Sequence, residues 1–416
     1  MQGFILKFIS FLVSVLSLFG IIKGPYSTVE LSETQLYPYV LVHGLMGWGD
    51  DAPFDDVFEY WGGDRNIPQH LTNLGCETHV AMVGAISSAW DRACELYAQL
   101  TGATVDYGAA HAEKYGHARF GRTYETPMIE DWSAENKINL VGHSFGGATV
   151  RLLVSLLADG SEEEIATTDE GEISPLFTGG KSNYVYSVTT LAAPHNGSTY
   201  GYALDLSESS VFLNTLISAY SVYGNSDLRH AYDPMLDQWG ITVPPDGQSW
   251  SSFNRESIAN FVKSKDSSAH DLTPGGAAEL NEKITFAEGV YYYSYYGCCT
   301  KENPLTGNQI CYTLNMFTAS AGIVGRTTGD FDGIVIDKSW LPNDGLVSVV
   351  SAKYPFGQPN KAFDEGNQET GVWQVMPEKT GWNHCTFMFA NDPVLGSSEL
   401  VDFYISLVNT VSATYE

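Results

Sequence analysis

The stretch "INLVGHSFGGATVRLLVSLL", from Ile138 to Leu157, constrains the fold more than any other part of the chain. Its opening run, rich in Ile, Leu and Val, reads as a short buried strand. Beyond Gly147, Val150, Leu153, Val154 and Leu157 recur at three- and four-residue steps, a helical stripe that stops near Gly160. Between strand and helix stands Gly142-His143-Ser144-Phe145-Gly146. The chain must reverse there in one tight turn with a serine at its apex. Such an apex is backbone-strained, and the flanking glycines let neighbouring chain approach without a Cβ clash. The helix N-terminus that follows offers unpaired N–H groups and a positive dipole at the place where an anion would form. Gly-x-Ser-x-Gly in this strand–turn–helix setting is the mark of a nucleophilic serine.

The rest of the chain supplies a matching frame. "YPYVLVHG" (Tyr37 to Gly44) and "YVYSVTTLAAP" (Tyr184 to Pro194) read as two further buried strands, with helix-like and turn-rich segments between them. Strands alternating with helices predict a mostly parallel central sheet with helices on both faces, an α/β architecture. The segment "EEEIATTDEGE", residues 162–172, is expected to be a solvated acidic loop, and residues 205–225 a mobile amphipathic helix. The C-terminal third, rich in Gly, Tyr and Asn, is expected to be irregular. No internal repeat stands out. With 416 residues, 44% apolar and 13% aromatic, the chain can bury a large core. Its 49 acidic against 21 basic residues give a formal charge of -28, which speaks against nucleic acid and gives no attraction to an anionic membrane surface.

Lys7 precedes "FISFLVSVLSLFGII", an apolar run from Phe8 to Ile22 closed by "KGP". That is the length of a signal-peptide core and short for a membrane span. Residues 1–24 are therefore read as a signal peptide, or as a signal anchor since no clean small-x-small cleavage site follows. The expected location is secreted or the lumen of the endomembrane system. Six cysteines fit that route weakly: Cys298, Cys299 and Cys311 are near enough for one local disulfide, while Cys76, Cys94 and Cys385 read as buried small apolar groups.

A serine hydroxyl needs a base and an acid that orients it. In the α/β-hydrolase arrangement their chain order is Ser, then Asp or Glu, then His. Of the histidines after Ser144 (His195, His230, His270 and His384), only His384 lies in the last third, on the turn-prone "TGWNHC". Asp344 in "WLPNDGLVS" is the best acid before it, presented by an Asn-Asp-Gly turn. The strand-loop "VLVHGLMGWG" is expected to supply the other half of an oxyanion hole, the backbone N–H of Leu45 joining that of Phe145. Asn196-Gly-Ser198 forms a glycosylation sequon, but one close to a strand end at the site.

With these motifs in place the chain resembles the thermostable, zinc-containing triacylglycerol lipases of bacilli and their staphylococcal relatives. The resemblance runs from about Pro38 to the C-terminus through "LVHGLMGWG", "YWGG", "SSAWDRACELYAQLTGATVDYGAAHAEKYGHARFGRTY", "SPLFTGG", "VTTLAAPHNGST", "LDQWG", "PLTGN", "WLPNDGLVS" and "GVW". It implies one α/β-hydrolase domain, residues 37–416, with a zinc-tethered insertion and a lid helix around 205–225. The triad it implies is again Ser144, Asp344 and His384. Leu45 stands where those lipases usually carry Phe, and Phe145 where they often carry Gln or Met; both exchanges leave the oxyanion donors intact.

The same resemblance implies a structural zinc on Asp91, His111, His117 and Asp237. Taken alone, "HAEKYGH" would read as two solvated histidines, because His-x5-His fits no standard finger spacing. Two imidazoles and two carboxylates close a four-coordinate site with no open position. Calcium is implied at Thr313, Asp392 and Pro393, although Thr386 replaces the family's glutamate two places after the catalytic histidine, which weakens a site for a hard cation. The expected activity is hydrolysis of triacylglycerol esters at an oil–water interface through an acyl-enzyme, with no obligate protein partner evident. A carboxylesterase or acyltransferase on shorter soluble esters is the alternative.

Overall fold

A computed structural model describes residues 29–32, 34–50, 59–203, 233–245, 247–389 and 396–415. The expected leader (residues 1–24), the expected lid helix (205–225) and both Asp392 and Pro393 lie outside the described residues. No helix among the described residues is long and apolar enough to cross a membrane.

Seven strands form the central sheet: β1 (Tyr39–Val42), β2 (Thr78–Ala81), β3 (Ile138–His143), β4 (Val185–Leu191), β5 (Tyr291–Tyr295), β6 (Asn360–Ala362) and β7 (Trp373–Val375). Their spatial order is β6-β7-β5-β4-β3-β1-β2, and every pairing is parallel. The order reverses between β1 and β3, so the loops leaving their C-terminal ends diverge and open a crevice. His43 and Ser144 begin those two loops.

The central strands β1, β3, β4 and β5 are buried on both faces, as a parallel sheet requires, while the edge strand β6 is largely exposed. Along β1, Val40 and Val42 enter one core and Tyr39 and Leu41 the other. The first core is closed by α1 (Ala89–Thr101) and α3 (Gly146–Asp159), the latter through Val150, Leu153, Val154 and Leu157. These are the residues of the stripe seen in the sequence. Truncating Leu153, which is fully buried, to Ala should cost about 2–5 kcal/mol. The second core is closed by the C-terminal helix α5 (Gly396–Ser412).

Two expectations fail. The C-terminal third is not irregular, since it supplies β5, β6, β7 and α5. β5 is "YYYSY", whose aromatic residues pack on both sheet faces without the aliphatic run of the other strands. Nor is 162–172 all solvated loop. Ser161 caps α4 (Glu162–Thr167) by accepting from the Glu164 N–H, and three glutamates in the first turn complement the helix dipole. Glu164 is buried. It caps α2 (Ala109–Tyr115), accepting from Ala110 N at 3.0 Å and His111 N at 2.8 Å.

All six cysteines are thiols, with Cys299 within hydrogen-bonding reach of Cys311. The sequon residue Asn196 is buried, and its amide donates to the Tyr354 carbonyl at 2.9 Å.

Candidate active site and metal centre

Ser144 sits at the crossing from β3 to α3 with φ +53, a left-handed conformation that a β-carbon-bearing residue holds only where its surroundings enforce it. Its N–H is fixed by the Leu191 carbonyl at 2.8 Å. A Cβ at Gly142 would lie 2.5 Å from the Gly146 carbonyl oxygen, and one at Gly146 would strike the Val42 carbonyl. Glycine is required at both positions by close approach of backbone.

The structure brings the three expected triad residues together. Ser144 Oγ lies 2.8 Å from His384 Nε2, and His384 Nδ1 lies 2.9 Å from Asp344 Oδ2. Since a carboxylate only accepts, Nδ1 carries the proton, Nε2 is the acceptor, and the serine hydroxyl donates. The second oxygen of Asp344 accepts from the Leu346 and Val347 amides at 3.0 and 2.8 Å. Asp344 thus closes its own turn with one oxygen and holds the His384 ring with the other. The Asp344 carbonyl also accepts from His384 N at 2.8 Å, tying the two loops together. Thr386, at the family's glutamate position, closes the histidine loop from within by accepting from Asn383 N at 3.0 Å.

The loop after β1 stands beside the elbow. Met46 has φ +55 and its N–H donates to the Ala85 carbonyl at 2.8 Å. Among the described residues neither the Leu45 nor the Phe145 amide has a hydrogen-bond acceptor, as a pair of oxyanion donors requires. Sequence reasoning missed the link that registers this loop against the base. His143 Nε2 donates to the His384 carbonyl at 3.0 Å, Tyr60 donates to His143 Nδ1 at 2.7 Å, and the Tyr60 oxygen accepts from Gly44 N at 2.9 Å. Burial, reinforced by His384, holds His143 well below its ordinary pKa, so the ring stays neutral and this proton order is the one available.

A second cluster lies on α1 and α2. Asp91, His111, His117 and Asp266 each bring one donor atom to within 4.8 Å of the others. His111 Nε2 is 3.3 Å from Asp91 Oδ1 and 3.2 Å from Asp266 Oδ1, while His117 Nε2 is 3.2 Å from Asp266 Oδ2. Asp91 Oδ1, His111 Nε2, His117 Nε2 and Asp266 Oδ2 are buried yet form no hydrogen bond. Ligands about 2.0 Å from a tetrahedral ion sit about 3.3 Å apart, so the spacing and the unsatisfied atoms both fit a four-coordinate cation. Burial and the facing Asp266 carboxylate raise the pKa of Asp91. Burial alone would lower that of His111, but Asp266 and Asp91 drive it up to about 9. Ligation needs both imidazoles neutral, and the two carboxylates then leave a negative charge that a divalent cation would balance.

The fourth member is Asp266 and not Asp237, which corrects the expected ligand set. Asp237 pairs with Arg122, whose other branch holds Asp233 at 2.7 Å. It is the next residue, Gln238, that reaches the cluster: its Nε2 donates to Asp91 Oδ2 at 2.7 Å. Asp266 precedes a short helix in the polar run "KSKDSSAHD" and carries no spacing signal. The two histidines meet because Gly116, at φ +79, ends α2 and turns the chain back. His117 Nδ1 donates to the Ala118 carbonyl at 2.9 Å, which leaves Nε2 as the ligand atom. Of the expected calcium ligands only Thr313 is described, its carbonyl 3.4 Å from the Asn315 side-chain amide.

Residues 35–415 match the family model described as a lipase-like, C-terminal domain. A lipase of Staphylococcus epidermidis is 43% identical over 357 residues, 84% of this chain and 50% of that protein. Lipase 1 of Staphylococcus aureus is 40% identical over 384 residues, 91% of this chain and 54% of that protein. The chain thus spans about half the length of the curated relatives it matches. Among solved structures, EstA from Clostridium botulinum superposes with a TM-score of 0.80 at 36% identity, covering 96% of this chain and 94% of that one. The Staphylococcus hyicus lipase gives 0.79 at 35% identity, with 94% and 98% covered.

Proposed function

The chain belongs to the bacterial lipase family of the staphylococcal enzymes, and from that premise we propose that it hydrolyses the carboxylic ester bonds of triacylglycerols at an oil–water interface. The observation that carries this reading is the unbroken hydrogen-bond chain Ser144 Oγ–His384–Asp344 at a strained elbow. His384 takes the Ser144 proton as the serine attacks the ester carbonyl, and Asp344 steadies the imidazolium that results. The Leu45 and Phe145 amides receive the oxyanion. His384 then protonates the leaving alcohol, and water repeats the cycle on the acyl-enzyme.

Asp91, His111, His117 and Asp266 would hold zinc, the borderline-soft ion that two imidazoles and two carboxylates suit. Held by these four side chains, the ion would act as a cross-link that ties α1 and α2 to the segment at 266. Calcium at Thr313, Asp392 and Pro393 is a weaker second site, since Thr386 offers one donor fewer than a glutamate. The apolar run Phe8–Ile22 supports export from the cytoplasm, and residues 205–225 a lid over the crevice.

The deciding experiment is an activity series over ester chain length, run below and above substrate solubility. A rate that climbs once long-chain triacylglycerol forms droplets supports the proposal. A smooth hyperbolic curve, with activity confined to short soluble esters, turns the assignment to a carboxylesterase.

A further inference from the structure

We propose that Arg92 is a positioning residue for both halves of the oxyanion hole and that, through its neighbour Asp91, it couples the hole to the metal centre. This inference rests on the hydrolase reading above. Arg92 lies in the first turn of α1 and is fully buried. Its guanidinium donates to the His43 carbonyl through Nη2, to the Gly84 carbonyl through Nη1 at 2.7 Å, and to Thr149 Oγ1 through Nε at 2.8 Å. It also lies 5.2 Å from the centroid of the Phe145 ring.

Each partner belongs to the hole or to its support. The His43 carbonyl is two residues before the Leu45 amide. Phe145 carries the other amide, and Thr149 lies one turn further along α3. Gly84 anchors the segment that receives the Leu45 loop: its own N–H donates to Glu95 Oε2 at 2.5 Å, and the next carbonyl, Ala85, accepts from Met46 N at 2.8 Å. One planar cation thus fixes the separation of two amides that come from different strands. Only a guanidinium offers donors in that fork; an ammonium cannot reach three acceptors in a plane.

Asp91 is the adjacent residue of the same helical turn, and its free oxygen faces the other cluster members. A helical turn is stiff, so displacing Asp91 displaces Arg92 with it. The α1 N-terminus is itself pinned on the metal side, where Asp271 Oδ2 accepts from Ala89 N at 2.8 Å. An ion that holds Asp91 therefore also holds the oxyanion donors at their spacing. By linkage, filling the hole must tighten the ion in return.

The test uses the full zinc-loaded chain and a p-nitrophenyl alkylphosphonate, which modifies Ser144 and places an anionic oxygen in the hole. Release of p-nitrophenol counts competent sites. Zinc affinity is then measured at equilibrium, by competition with a chromogenic chelator, for free and phosphonylated enzyme. The phosphonylated form should bind zinc roughly fivefold or more tightly, and that difference should vanish in Arg92→Lys. Per titrated site, Arg92→Lys and Thr149→Val should lower kcat on a soluble ester with KM nearly unchanged, since the oxyanion exists only past the ground state. Equal zinc affinity of free and phosphonylated wild type overturns the coupling. Wild-type kcat and a retained difference in Arg92→Lys overturn the role of Arg92. Failure of the phosphonate to modify Ser144 is a separate result that removes the hydrolase reading itself, and the inference with it.

Discussion

Gln238 Nε2 lies 2.7 Å from Asp91 Oδ2, while Asp237, one residue earlier, faces Arg122. The two side chains of one short turn thus divide their work: one braces a ligand and the other anchors the turn. Asp266→Ala should abolish stoichiometric zinc binding and lower the melting temperature. Asp237→Asn should keep the ion, and Gln238→Ala should weaken zinc affinity by about 10–100-fold. Metal content after dialysis, with calorimetry, separates the three.

Replacing the triad should remove turnover and leave the fold. Ser144→Ala and His384→Ala are expected to lower kcat by about 10⁶, and Asp344→Asn by about 10⁴ through the wrong imidazole tautomer. Ester hydrolysis, with circular dichroism to verify folding, tests this; wild-type turnover in Asp344→Asn would discard Asp344 as the acid.

Tyr60 carries two bonds of the link between the oxyanion loop and the histidine loop. Tyr60→Phe leaves the Gly44 amide and His143 Nδ1 without that hydroxyl. The expected cost is about 1–3 kcal/mol of stability, with kcat falling more than KM rises. Chemical denaturation and steady-state kinetics on one preparation measure both.

Thr386 bears on the same loop from the other side. Thr386→Val removes the acceptor of the buried Asn383 N–H and should cost about 1–3 kcal/mol. Thr386→Ser should restore most of it. Melting temperatures of the pair are sufficient.

Stability should peak in mildly acidic solution. Burial holds His43 down to about 3 and His143 and His195 well below the usual imidazole value, so all three bind protons only on unfolding below about pH 6.5. Burial pushes Asp271 up to about 7 and Glu95 up to about 8, so these two release protons on unfolding over most of the same range. Between about pH 4.5 and 6.5 the three imidazoles outnumber the two carboxyl groups, so with the metal centre filled unfolding takes up protons and stability falls on acidification. Above about pH 7 Glu95, and in metal-free protein His111 as well, still holds a proton that unfolding releases, and stability declines as pH rises towards 8. A melting series from pH 4.5 to 8.5 checks both limbs.

The meeting of Ser144, His384 and Asp344 was legible because each sits on a local signal: an elbow between two periodic runs, a lone late histidine, and a turn aspartate. The parallel sheet was legible for the aliphatic strands β1, β3 and β4. It was not for β5, where tyrosines do the packing, nor for the three-residue strands β6 and β7, too short to show a period. The metal centre divided in the same way. Asp91, His111 and His117 came through resemblance to a long conserved-looking block. Asp266 was missed because its placement depends on tertiary packing, and Asp237, implied by the same resemblance, stands one residue before Gln238, the side chain that does reach the cluster. Arg92 and Tyr60 carry no motif, since their roles exist only once distant loops meet.

The donors of the metal centre span positions 91 to 266, and β3, β4 and the serine elbow all lie between them in the chain. An unfolded chain cannot hold these groups together, because closing so long a loop carries an entropic cost with no packed sheet to offset it. An ion held there would therefore be captured late, a seal set after the central strands have docked, and molecules carrying it would be those whose interior is already assembled.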